Sequence, residues 1–276
     1  MDVVSCFSAA SGRREFRGRV MIPIARREFL RTVGGIGALS MIGRSPIAQQ
    51  QRRRVSAVAF DGFALFDATA VVPFAEAVAP GRGAELVAAW RARHFEYQWL
   101  RTLGGQYADF QTTAADALVF AAKSIGITLT APQRAGLVEA QAVLRPWPDA
   151  AAAIAELRGA GLRLALLSNM TARMLTDGLA RAGLANDIEF VLSTDRVRAA
   201  KPAPSAYAMG PAAFNAPRTD IAFVAFAGWD AAGAGWFGYP TAWLNRSHAV
   251  AEELGVDPQF TASQLAPIVE WITSTR

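Results

Sequence analysis

VSAVAFDGFALFD, residues 55–67, is the stretch that decides the fold. Its apolar, partly β-branched first half stops abruptly at Asp61, and Gly62 follows as a turn residue. Gln and Arg precede the run and Asp-Gly closes it, so it reads as a buried strand rather than a helix. In an open α/β sheet, ligands sit in the crevice beyond the carboxyl ends of the strands. A carboxylate closing a strand therefore lies where such folds place their chemistry. Asp also favours turns and caps for its own sake, so Asp61 alone decides nothing.

Beyond Asp67 the pattern is helical from residue 71 to 144, with helices expected over 82–103, 114–124 and 132–144. Pro80-Gly81, Gly104-Gly105 and residues 126–130 supply the turns between antiparallel helices. Arg145-Pro146-Trp147-Pro148-Asp149 closes this insertion, and strands then alternate with helices. The expected order is helix 150–158, strand 162–167, helix 172–182 and strand 189–192. A helix opened by Lys201-Pro202 then runs to 214, followed by strand 221–226, a Gly/Ala-rich helical turn from Asp230, strand 241–244 and helix 262–273. Alternation of this kind implies right-handed crossovers and a mostly parallel sheet covered on both faces. The fold expected is α/β and Rossmann-like, with an all-helical cap inserted after the first strand. The core would comprise residues 55–67 and 148–276, the cap 68–147.

The formal charge of +5 is carried by the front of the chain. Residues 1–54 hold 11 of the 28 basic residues and 3 of the 23 acidic ones, leaving 17 basic against 20 acidic in the body. That balance removes the compositional argument for a nucleic-acid partner. The single cysteine, Cys6, also lies in the front, so the body can form neither a disulfide nor a thiolate metal site. Arg26-Arg27-Glu28-Phe29-Leu30 precedes a short, uncharged, Gly-rich apolar run over residues 33–42. This resembles a twin-arginine (Tat) export signal and implies a periplasmic or secreted protein; an ordinary basic extension is the alternative. The run is too short to span a bilayer, so no stable membrane anchor is expected. Met21 is a second plausible start and Ala48 a weakly marked cleavage position. Residues 1–54 are set aside as signal and linker.

Polar residues at the ends of successive strands meet in one crevice. Here they are Asp61, Ser168 with Asn169, Lys201 and Asp230. A carboxylate can serve as nucleophile, a nearby lysine can keep it ionised, and a hydroxyl with adjacent backbone can bind an anion. A second Asp can orient the lysine or a water. Each also has a plain reading: Ser168 and Asn169 as caps of the following helix, Lys201 as loop chemistry, Asp230 as an N-cap.

These residues, with Pro80-Gly81-Arg82-Gly83, Trp90-Arg91, Glu96-Tyr97-Gln98-Trp99-Leu100-Arg101 and Phe237-Gly238-Tyr239-Pro240-Thr241, resemble the (S)-2-haloacid dehalogenases (type II) of the haloacid dehalogenase superfamily. The likeness covers cap and core. It implies that Asp61 displaces halide from the α-carbon of a short 2-haloacid to form an ester, which water then hydrolyses at the aspartyl carbon, giving a product of inverted configuration. It further implies that Arg91 receives the halide, that Phe110 and Trp229 wall its pocket, and that Phe63, Asn169 and Tyr207 complete the substrate surround. Ser168, Lys201 and Asp230 would join Asp61 and Arg91 in catalysis. Without the likeness, Arg91 reads as a solvated helical arginine, although Val87 and Phe95 share its face. No cofactor, no metal and a homodimer are implied.

Phosphatases of the superfamily resemble one another in a second Asp two residues after the nucleophile, where this chain has Phe63, and in a metal carboxylate that would fall within Ala225-Phe226-Ala227. Those side chains offer a hard cation no oxygen. The chain also departs from the dehalogenase pattern. Asp-x-Tyr-Gly-Thr-Leu-Phe-Asp is shortened to Asp61-Gly62-Phe63-Ala64-Leu65-Phe66-Asp67, and Ser-Ser-Asn-Ala-Trp-Asp becomes Ala225-Phe226-Ala227-Gly228-Trp229-Asp230. Lost donors predict slower turnover. An exported, weakly active or inactive relative that binds a small carboxylate is therefore the second reading.

Overall fold

The computed structural model describes residues 55–274; the twin-arginine pattern and the rest of the front segment lie outside them. Strand β1 (Ala57–Phe60) leads through a single helical turn, α1 (Gly62–Leu65), to four helices: α2 (Val72–Val78), α3 (Gly83–Leu103), α4 (Phe110–Ser124) and α5 (Ala131–Ala142). The chain then runs through α6 (Ala150–Gly159), β2 (Arg163–Ser168), α7 (Ala172–Ala182), β3 (Phe190–Ser193), α8 (Pro204–Tyr207) and α9 (Met209–Phe214). It ends with β4 (Ile221–Ala225), α10 (Gly228–Phe237), β5 (Thr241–Leu244), β6 (Phe260–Ala262) and α11 (Leu265–Ser274).

The six strands form one parallel sheet in the order β3-β2-β1-β4-β5-β6. Strand order reverses beside β1, so the crevice between the outgoing connections opens at the carboxyl end of β1, just where Asp61 stands. Alternation along the strands divides the core. Val58, Phe60, Leu164, Leu166, Ala222 and Val224 pack with α6, α7 and α11 on one face. Ala57, Ala59, Ala165 and Ala225 leave room on the other for the rings of Tyr207, Phe214, Phe223 and Tyr239. The helices between β1 and α6 bury a separate apolar cluster of their own, centred on Leu86, Trp90, Leu118 and Leu137. Among the described residues no helix is long and apolar enough to cross a membrane.

The two strands of chain joining this helical segment to the sheet run side by side. Phe66 and Pro146 form an antiparallel bridge, the Asp67 N–H donates to the Arg145 carbonyl at 2.7 Å, and the Trp147 N–H donates to the Leu65 carbonyl at 2.9 Å. The Asp67 carboxylate accepts from the Thr69 N–H and hydroxyl, both at 2.7 Å, and so belongs to this junction.

Three local expectations need correction. The helix expected from Lys201 to 214 is two short ones, because Pro204 starts α8 and the path turns again at Ala208. Asp109 caps α4 through the Thr112 N–H, so that helix begins at Phe110 rather than at 114. A sixth strand, β6, precedes the last helix; its three residues pair with β5, and a segment that short carries no readable alternation.

Candidate active site

Asp61 is held on both sides. Its backbone N–H donates to the Val224 carbonyl of β4 at 2.9 Å, continuing the sheet register for one residue. Its side chain caps α1, Oδ1 accepting from the Phe63 N–H at 2.8 Å. Oδ2 accepts from Lys201 Nζ at 2.6 Å, and the same ammonium donates to Asp230 Oδ2 at 2.7 Å. Tyr207 donates to Asp230 Oδ1 at 2.7 Å. The result is a buried row of Asp61, Lys201, Asp230 and Tyr207.

Burial and charge oppose each other along this row. Desolvation works against the Lys201 ammonium, but Asp230 and Asp61 outweigh it and hold its pKa above the ordinary lysine value. Burial pushes Asp230 up to about 6, against the pull of Lys201 and the Tyr207 hydroxyl. Burial and then the Asp230 charge raise Tyr207 well above a normal phenol. Lys201 is thus a permanent cation, and Asp230 is a carboxylate able to take a proton near neutrality.

The small residues of α10 follow from this packing. A Cβ on Gly233 would stand 2.5 Å from the Tyr207 hydroxyl oxygen and 2.8 Å from Pro202 Cβ. Asp230 is the third residue of α10, whose N-cap position is Ala227. The plain reading of Asp230 as a cap therefore does not hold; its carboxylate turns inward instead. Likewise Thr171, not Ser168 or Asn169, caps α7.

Ser168 and Asn169 arrive on the end of β2. Ser168 Oγ accepts from the Met170 N–H at 3.3 Å, which leaves its own hydrogen free to donate into the crevice. A Cβ on Gly62 would meet that oxygen at 2.9 Å, so the turn after Asp61 requires glycine's small size. Asn169 behaves differently from the substrate contact expected of it. Its Oδ1 accepts from the Lys201 backbone N–H at 2.8 Å, and its Nδ2 donates to Gln98 Oε1 at 2.8 Å.

Asp61, Ser168, Asn169, Lys201 and Asp230 share one small chamber with Phe63, Phe95, Phe110, Phe226, Ala227 and Trp229. The rings interlock: Phe63 lies 5.6 Å from Phe226 and 6.4 Å from Phe110 between centroids, and Phe95 lies 5.2 Å from Trp229. Tyr207 does not line this chamber; it stands behind Asp230. Arg91 lines an adjoining chamber that shares Phe63, Phe95 and Phe110. Arg91 is exposed to solvent, although desolvation still lowers its pKa, and its guanidinium makes no hydrogen bond or ion pair among the described residues. It is an unspent cation beside an aromatic partition.

Sequence reasoning missed the contribution of α3 to the loops of the sheet. Besides Gln98, Trp99 Nε1 donates to the Lys201 carbonyl at 3.1 Å and Thr102 Oγ1 accepts from the Ala200 N–H at 3.0 Å. Just past the helix, the Tyr107 hydroxyl donates to Asp195 Oδ1. His94, fully buried, sits against Phe110 at 4.3 Å between ring centroids. Apart from the family likeness over residues 96–101, the signal for the helical ones was polar side chains on one face of a helix, which reads equally as solvation.

Chemically, the arrangement presents a fixed carboxylate to a small space walled by aromatic rings. Such a carboxylate with a second one of raised pKa nearby suits a displacement followed by a hydrolysis.

A family profile described as haloacid dehalogenase-like hydrolase matches residues 26–238. An (S)-2-haloacid dehalogenase from Pseudomonas sp. (strain YL) is 37% identical over 217 residues, covering 78% of this chain and 94% of the relative. Haloacetate dehalogenase H-2 from Moraxella sp. (strain B) is 36% identical over 221 residues, covering 80% and 99%. Among solved structures, the L-2-haloacid dehalogenase of Xanthobacter autotrophicus with chloropropionic acid covalently bound superposes with a TM-score of 0.73. Its sequence identity is 31%, over 79% of this chain and 98% of that one.

Proposed function

The chain belongs to the haloacid dehalogenase-like hydrolases, and on that premise we propose that it hydrolyses the carbon–halogen bond of short (S)-2-haloacids, with Asp61 as nucleophile. A carboxylate oxygen of Asp61 attacks the α-carbon from the side opposite the halogen. The carbon–halogen bond breaks, the halide leaves with the bonding pair, and an ester to Asp61 remains with inverted configuration. Water then attacks the ester carbonyl of Asp61 while Asp230 accepts its proton. The acyl–oxygen bond breaks, the (R)-2-hydroxyacid takes up a proton, and Asp61 is restored. Lys201 pairs with Asp61 at 2.6 Å and fixes its carboxylate for the first step. The Ser168 hydroxyl is placed to donate to the substrate carboxylate, and Arg91 offers the halide a cation across the aromatic partition.

The observation that carries this reading is the Asp61 carboxylate, fixed by Lys201 at 2.6 Å and by the Phe63 N–H at 2.8 Å and facing an aromatic chamber. The test follows chloride release from (S)-2-chloropropionate. Asp61→Ala serves as the control, and p-nitrophenyl phosphate with Mg²⁺ tests for phosphatase activity. Single turnover in oxygen-18 water should place the label in the Asp61 carboxylate. Chloride release by Asp61→Ala at the parent's rate would remove the nucleophile assignment.

A second reading has support of its own. The Ala227 side chain offers the chamber no donor, and the Asn169 amide is already bonded on both sides. Binding of a small carboxylate with little or no turnover fits that shortage, and would appear as saturable binding of (S)-2-chloropropionate without chloride. The twin-arginine pattern supports export, testable by fractionating cells that express the parent and an Arg26→Lys, Arg27→Lys variant.

A further inference from the structure

The chemistry above leaves unused a line of buried polar side chains running from α3 to the backbone of Lys201. Its direction is fixed at one end. The Lys201 N–H can only donate, and Asn169 Oδ1 accepts it at 2.8 Å; the Thr194 hydroxyl donates to the same oxygen at 3.4 Å. Asn169 Nδ2 therefore faces the other way and donates to Gln98 Oε1 at 2.8 Å. Gln98 then has only its amide nitrogen to offer His94 Nε2, 3.1 Å away. A nitrogen met by a donor must accept, so Nε2 carries the lone pair and the ring proton sits on Nδ1. The Phe110 carbonyl, 3.0 Å from Nε2, favours the opposite tautomer; the Thr113 hydroxyl, with one hydrogen to give, stands 2.9 Å from the Asp109 carbonyl and 3.0 Å from that of Phe110. The same hydroxyl lies 3.0 Å from Nε2. Burial, working against the Phe110 carbonyl, pushes the His94 pKa down to about 4; the ring is neutral, as the line requires.

We propose that Gln98 and His94 are positioning residues: through Asn169 they fix the backbone of Lys201, and so the place of its ammonium between Asp61 and Asp230. Trp99 and Thr102 on the same helix hold the neighbouring Lys201 carbonyl and Ala200 N–H, so α3 grips this loop at three points. Only the kinetic part of the test rests on the dehalogenase reading.

The chain has two histidines, His94 and His248, and only the first is buried. Nitrogen-15 labelling of histidine therefore yields two ring systems, and the buried one is expected as the Nδ1–H tautomer at neutral pH. Asn169→Asp supplies a side chain that can accept but not donate. Gln98 must then turn its amide toward it and its carbonyl toward His94, and the ring must change to Nε2–H. A buried ring already protonated on Nε2 in the parent, or one that keeps its tautomer in Asn169→Asp, overturns the proposal. In Gln98→Leu, kcat for (S)-2-chloropropionate should fall about tenfold to a hundredfold, as small misplacements near reacting groups do. KM should stay within about threefold, since no substrate contact is removed. An unchanged kcat would also overturn the proposal. If the parent releases no chloride at all, the dehalogenase reading fails, while the tautomer switch still decides whether the line exists.

Discussion

Replacing Lys201 by Met keeps the volume of a fully buried side chain while removing the charge that two carboxylates share at 2.6 and 2.7 Å. Breaking a buried ion pair from one side costs about 3–5 kcal/mol, because the surviving charge stays desolvated. Here two such charges survive, Asp61 and Asp230, both buried. A domain of this size loses about 2–4 °C of Tm per kcal/mol, so the expected fall at neutral pH is about 6–20 °C. The loss should depend on pH. Without the ammonium, desolvation and the neighbouring Asp61 carboxylate raise the folded-state pKa of Asp230 further above its unfolded value, so the native state takes up a proton that the unfolded chain does not. The contribution of Asp230 to the variant's stability is then fullest in acid and falls as pH rises through its raised pKa. Urea denaturation of parent and variant at about pH 5 and about pH 8 should show a deficit that is partly relieved at the lower pH. An equal deficit at both values would refute the account of Lys201 as the shared counter-charge. Chloride release by the variant should fall steeply at either pH, since Asp61 loses the ammonium that fixes its Oδ2 at 2.6 Å.

Dehalogenation should decline as pH falls through about 6, where Asp230 takes up a proton and can no longer accept one from water; a rate independent of pH between 5 and 8 would exclude Asp230 as the base. The Tyr207 hydroxyl lowers the Asp230 pKa, so Tyr207→Phe should move that limb to higher pH, read from a pH–rate profile. Phe226→Ala opens the wall opposite Phe63 and should raise kcat/KM for four- and five-carbon 2-haloacids relative to haloacetate, measured by competition. Gly233→Ala drives a methyl against Tyr207 and Pro202 and should cost about 1–3 kcal/mol, the usual penalty of overpacking, seen as a lower urea midpoint.

How much of this was legible in the chain depended on distance along it. β1, β2 and β4 announce themselves because each is a short apolar run ended by a polar or small residue, and a parallel sheet buried on both faces demands such runs. Once their order is known, Asp61, Ser168, Lys201 and Asp230 must converge. The phase of α3 likewise put Arg91 with Val87 and Phe95, and those residues do line one cavity. What could not be read were the bonds across the crevice. Gln98 reaches Asn169 over 71 residues, Trp99 reaches Lys201 over 102, and Tyr107 reaches Asp195 over 88. No periodicity encodes a partner that far away. A buried Gln or His on a helix face looks in sequence like any solvated one. Asn169 lines the chamber, but its partners were not foreseeable, because an amide's occupancy is settled only when both its neighbours are known.

The antiparallel bridge between Phe66 and Pro146 means that the helical excursion begins and ends at one spot. From the viewpoint of the sheet, the chain leaves and returns as though through a single doorway, and no strand needs the excursion in order to find its neighbour. Chain ends that lie side by side are what make an insertion exchangeable. Descent can therefore rework the excursion, which supplies Phe95 and Phe110 to the chamber and Arg91 to the one beside it, without retuning the carboxylates and lysine beneath. Inventing a new substrate range and preserving an old reaction become separate problems for this architecture.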